Sequence, residues 1–130
     1  MKYYYVLILT AALYISSCTS DSLDCVCTDD FRSITVVVVD TLNSPVSGLI
    51  STIEDESGKM YSFPQEPPFF PGQYTIMNDS YVHDFSSVPK TILFTAENDS
   101  LEVGAQYLIN ADACICHINK VSGPDTLVLR

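Results

Sequence analysis

Five cysteines and two histidines carry most of the reactive chemistry this chain could offer. Cys25-Val26-Cys27 and Cys114-Ile115-Cys116 are Cys-x-Cys segments far apart in the chain, and His117 adjoins the second. If the two segments lie side by side as strands, residues i and i+2 share a face, and each segment offers two sulfurs to the other at distances a disulfide can close. An antiparallel ladder pairs Cys25 with Cys116 and Cys27 with Cys114. A parallel one pairs Cys25 with Cys114 and Cys27 with Cys116. The antiparallel ladder is the expectation, because antiparallel neighbours predominate in all-β proteins, and it would turn Val26 and Ile115 to a buried opposite face. The alternative is an extracytoplasmic metal-binding protein in which Cys25, Cys27, Cys114, Cys116 and His117 hold zinc or copper(I). Structural zinc sites use Cys-x2-Cys, whose turn brings both sulfurs onto one ion, so disulfides come first and no cofactor is expected.

Hydrolytic chemistry needs a nucleophile, a base and an orienting acid. Of the two histidines, His83 stands beside Asp84 in Tyr81 to Phe85, which reads as a strand; adjacent strand residues face opposite ways, so Asp84 is poorly placed to orient His83. There is no His-Glu-x-x-His, Gly-x-Ser-x-Gly, phosphate-cradling glycine loop or EF-hand spacing. Asp29-Asp30 and Glu54-Asp55-Glu56 read as solvated turn charges rather than calcium ligands. The expectation is therefore a protein that is not an enzyme. Six Lys and Arg against sixteen Asp and Glu leave a net charge of −10, which excludes a nucleic-acid partner because no basic surface exists to hold a phosphate backbone.

The elements that must position these residues are strands. Eight Tyr, six Phe and many Val and Ile favour pleated structure, and no segment carries apolar residues at i, i+3, i+4 and i+7 over three turns. Ser33 to Asp40 is a β-branched run ending at Asn43-Ser44-Pro45, and reads as a central strand. Val46 to Ile53 follows, with a bulge at Gly48, and Glu54 to Gly58 forms a hairpin tip before Met60 to Phe63. Pro64 to Gly72 holds four of the seven prolines and must be an extended loop. Gln73 to Met77, Tyr81 to Phe85, Thr91 to Ala96, Ala105 to Ala111, Cys114 to Lys120 and Thr126 to Leu129 complete seven to nine short strands, which predicts an all-β antiparallel sandwich over residues 25–130. The order Ile34-Thr35-Val36 to Asp40, Asn43-Ser44-Pro45-Val46-Ser47-Gly48, Gly58 and Gly72-Gln73-Tyr74-Thr75-Ile76 resembles the carboxypeptidase regulatory-like, or transthyretin-like, sandwich. Gly48-Leu49 replaces that family's usual Gly-Ala, and Ser44 replaces the glycine before its proline.

Ahead of the domain, Met1-Lys2 is a short positive start. Tyr3 to Ile15 is apolar and too short to span a bilayer comfortably, and Ser16 and Ser17 are small. Residues 1–17 read as a secretory signal. Ile15-Ser16-Ser17-Cys18 resembles the bacterial lipobox, which implies diacylglycerol on the sulfur of Cys18, a linker over residues 18–24, and, with Thr19 rather than Asp next, a membrane partner that is the outer membrane, on its periplasmic or cell-surface side. The Cys114 to Asp125 segment resembles small bacterial lipoproteins. Asp21-Ser22-Leu23, Asp40-Thr41-Leu42, Asp99-Ser100-Leu101 and Asp125-Thr126-Leu127 are similar to a periplasmic O-glycosylation triplet, implying Ser22, Thr41, Ser100 and Thr126 as acceptors; turn chemistry explains the same pairs. A ligand surface, for an envelope protein or a glycan, is expected at Phe69, Phe70 and Tyr81, where rigid aromatics lose little entropy on binding. Phe69 and Phe70 could equally cap the core.

Overall fold

The computed structural model describes residues 24–63 and 70–130. The expected signal at 1–17, Cys18, Ser22 and Phe69 lie outside the described residues. Among those described, eight strands follow in chain order: β1 (Ser33–Val39), β2 (Ile50–Asp55), β3 (Met60–Tyr61), β4 (Gln73–Asn78), β5 (Lys90–Glu97), β6 (Glu102–Ala111), β7 (Ile118–Ser122) and β8 (Thr126–Val128). They form a three-stranded sheet in the order β4-β1-β8 and a five-stranded sheet in the order β3-β2-β5-β6-β7. The fold is an all-β sandwich. β1 is central in its sheet, as its Val-rich run predicts, and alternation turns Ile34, Val36 and Val38 inward. With Ile76 and Met77 of β4 they share one core with Ile53, Ile92, Phe94, Tyr107, Ile109 and Ile118 of the other sheet. The Tyr74 and Phe94 rings meet across it at 6.2 Å.

The sheets are not wholly antiparallel. β8 runs parallel to β1, with Val37 opposite Thr126 and Val39 opposite Val128, because the chain changes sheets after β7. The change occurs at Gly123, whose φ of +132° suits glycine, and a Cβ there would lie 2.3 Å from Cδ1 of Tyr107. The Tyr107 hydroxyl donates to Pro124 O at 3.0 Å and fixes the crossing.

Two segments expected as strands are something else. Tyr81 to Asp84 lie in a 3-10 helix, Asp79–Asp84, which ends at Phe85 and is capped at its start by the Asn78 side chain, which accepts from Ser80 N–H. Val82 and Phe85, three apart, are both buried, the spacing of a three-residue turn. The other departure lies at Cys114 to Cys116, which form a tight turn between β6 and β7. The Asp112 carboxylate accepts the N–H of Cys114 at 3.1 Å and of Cys116 at 2.8 Å, and Ile115 sits at φ 55°. A side chain that accepts the N–H groups two and four residues ahead offers the backbone an alternative to a ladder.

The β2–β3 tip is closed by a buried carboxylate. Asp55 accepts from Ser57 N–H and Oγ and Lys59 N–H through one oxygen, and from the Tyr61 hydroxyl and Lys90 Nζ through the other. The Ser57 hydroxyl is the largest influence and holds the carboxyl far below the usual range, against the upward push of burial.

Candidate functional site

The residues that meet outside the core do so around His117. Residues 24–32 form an extended, exposed arm that enters β1. Two bridges fasten it to the turn after β6: Cys25 to Cys114, with Cα atoms 5.5 Å apart, and Cys27 to Cys116, at 5.4 Å. The four cysteines pair with one another as expected, but in the parallel register and not the antiparallel one. Val26 is 88% exposed and Ile115 is 40% exposed, so the expected buried opposite face is absent. Both differences have one cause: neither segment is a strand, so strand alternation and strand direction do not govern where the sulfurs point.

Below the bridges the arm makes a second set of contacts. His117, only 5% exposed, places Nδ1 2.7 Å from Oδ2 of Asp79 and Nε2 3.0 Å from Oγ1 of Thr28. Asp79 also accepts Arg32 N–H at 2.8 Å and Ile118 N–H at 2.9 Å, and its own N–H donates to Arg32 O at 3.0 Å. Burial raises the Asp79 carboxyl, and the His117 ring with the two backbone N–H donors outweighs it, so the net shift is downward and the group is ionised. An ionised carboxylate only accepts, so the hydrogen of the neutral imidazole belongs on Nδ1 and Nε2 accepts from the Thr28 hydroxyl. The Arg32 guanidinium donates one N–H to Asn119 Oδ1 at 3.0 Å, tying the arm to β7. Thr28, Arg32 and His117 line an open cleft of about 340 Å³ together with Val26, Ala113 and residues of the bridges.

The arrangement brings together Cys25, Cys27, Cys114, Cys116 and His117, the five residues of the metal alternative, but commits them elsewhere. The sulfurs are paired and both ring nitrogens are hydrogen-bonded. Among the described residues no group of three or more His, Cys, Asp or Glu is placed to hold a metal ion. The other sequence candidates lie apart. His83 is exposed, and Asp84 pairs with Lys59 at 2.7 Å. Tyr81 packs edge-on against Tyr61 at 5.1 Å and Phe63 at 5.4 Å and donates to Ser62 O, while Phe70 is 67% exposed. Thr41, Ser100 and Thr126 are all exposed.

Asp79 and Thr28 were invisible as site residues. Asp79 sits in Asn78-Asp79-Ser80, which reads as a turn, and joins His117 across 38 residues; Thr28 joins it across 89. Only the Cys-x-Cys pairing hinted that Thr28 and His117, each next to a bridged cysteine, would be brought together. No family model matches the chain. Neither a curated protein nor a solved structure matches it.

Proposed function

We propose that this protein is an envelope lipoprotein, a binding, adhesive or accessory module carried at the outer membrane by acyl chains on Cys18. The observation that supports it is the pair of bridges, since disulfides persist outside the cytoplasm and are rare within it. They begin seven residues after Cys18, so a lipid there would be joined to the sandwich by a short linker, and pull on it would pass to the Cys114–Cys116 turn before it reached the core. The resemblance to transthyretin-like sandwiches belongs to this same reading. So do the triplets: Leu42, 84% exposed, has no packing reason to follow Asp40-Thr41. Phe70 on the proline loop is the aromatic that the reading offers to a protein or glycan partner.

Fractionation of the native host is the test. Wild-type protein should sediment with outer membranes, and Cys18→Ala should accumulate unprocessed or soluble. A Cys18→Ala protein that still fractionates with the outer membrane would place the anchor elsewhere.

A further inference from the structure

The three groups on the arm stand in the order that hydroxyl-based acyl transfer uses: a hydroxyl on a ring nitrogen, the other ring nitrogen on an ionised carboxylate, and open space in front. We propose that Thr28, His117 and Asp79 form an acyl-transfer site that takes small carboxylic esters into the cleft beside the bridges. This goes beyond the envelope-module reading and does not depend on the tether.

Several observations converge on it. The Thr28–His117 distance of 3.0 Å and the His117–Asp79 distance of 2.7 Å lie within the range of nucleophile to base and base to orienter. Asp79 is itself held by two backbone N–H groups, from Arg32 and Ile118, which fixes the side of the ring it can approach. His117 is buried while Thr28 is exposed, so the base is sheltered and the nucleophile is reachable. Arg32 is the one cation among the cleft residues. It uses a single N–H on Asn119 and has further donors for an oxygen that gains charge. Asp112, the acid of the cleft, is turned to the backbone of Cys114 and Cys116. The cleft, about 340 Å³ and open to solvent, has room for a small ester beside Thr28.

The reaction balances with these groups alone. Thr28 Oγ1 bonds to the ester carbonyl carbon as its proton passes to His117 Nε2, and the carbonyl oxygen takes the negative charge beside Arg32. The carbon–oxygen bond to the alcohol then breaks, the leaving oxygen takes the proton from Nε2, and the acyl group remains on Thr28. Water repeats the sequence, giving its proton to Nε2, and releases the carboxylic acid and the free hydroxyl.

The test uses p-nitrophenyl acetate and the protein with both bridges intact. Acid-quenched samples should carry one acetyl group on the peptide containing Thr28. Release of p-nitrophenolate should exceed that of Thr28→Ala at least about 100-fold, the lower end of what a positioned base contributes, and Thr28→Ser should restore it. Thr28 is exposed and follows the bridged Cys27, so Thr28→Ala loses one hydrogen bond to His117 and keeps the fold, which a single cooperative thermal transition certifies. If Thr28→Ala releases p-nitrophenolate as fast as wild type, or if acetyl groups appear only on other residues, the Thr28–His117 contact is a structural tie and the proposal is wrong. Outer-membrane fractionation of Thr28→Ala is expected to be normal, which separates this outcome from failure of the tether reading.

Discussion

Removing one bridge should cost far less than removing the second after it, whichever goes first, and the inequality follows from the connectivity. Each bridge joins residues 89 apart. Closing a loop of that length in the unfolded chain is worth about 4.6 kcal/mol in the chain-entropy treatment. Once either bridge is made, the other closes only a small ring through Val26 and Ile115, of about six residues, worth roughly 2 kcal/mol on the same formula. Cys25→Ser with Cys114→Ser, or Cys27→Ser with Cys116→Ser, should therefore each cost about 2 kcal/mol, and the fourfold variant about 6 to 7 kcal/mol, well beyond the two single losses added together. Urea unfolding of the four proteins under oxidising conditions, analysed by linear extrapolation, reads these values. The slope should also rise in the fourfold variant, whose unfolded chain is no longer cross-linked. Losses that simply add, or a fourfold variant as stable as wild type, would refute the idea that the bridges act by closing the long loop.

Acidification should weaken the fold through Asp55 and Asp79. Both carboxyls are held below the ordinary carboxylate range in the folded protein, so the stability they contribute is complete above that range and is lost as the pH falls through their folded values. Asp79→Asn, which leaves His117 and two N–H groups with a poorer partner, should cost about 2 to 4 kcal/mol and flatten part of that acid limb in urea titrations at several pH values. Burial and the charge of Asp125 push the Tyr107 phenol up to about 12, and burial with the hydrogen bond to Asp55 pushes Tyr61 up as well; an ultraviolet titration should show two tyrosines ionising above the ordinary phenol range, and Tyr107→Phe should remove one of them. Gly123→Ala forces a Cβ onto the Tyr107 ring and should lower the thermal midpoint more than Gly48→Ala, where nothing lies within 4 Å, although both positions have positive φ.

The sandwich was legible because its long strands obey simple rules. β1 alternates Ile34, Val36 and Val38 inward, and β5 does the same with Ile92, Phe94 and Ala96. The 3-10 helix was not, because Tyr81, His83 and Phe85 mimic alternation over five residues, while the burial that matters joins Val82 to Phe85. The cysteine turn reads as a strand because Val26 and Ile115 supply a strand pattern, and the competing signal, Asp112 two and four residues before the two cysteines, acts through side-chain hydrogen bonds that hydropathy ignores. The bridge register differs for the same reason. The pairing of the sulfurs was readable from their number, but their order depends on the direction of two segments that are not strands. The contact of Asp79, His117 and Thr28 joins three distant stretches, and no local spacing encodes it.

The arm is bridged to the turn after β6, and the proposed tether requires that the mature chain start at a lipidated Cys18. Mass spectrometry of the unreduced protein, extracted from host membranes and digested, tests both at once. The prediction is an N-terminal peptide beginning at acylated Cys18, with cross-links joining Cys25 to Cys114 and Cys27 to Cys116. An unmodified Cys18 inside a longer peptide, free thiols at the other four positions, or cross-links in the opposite register would contradict it.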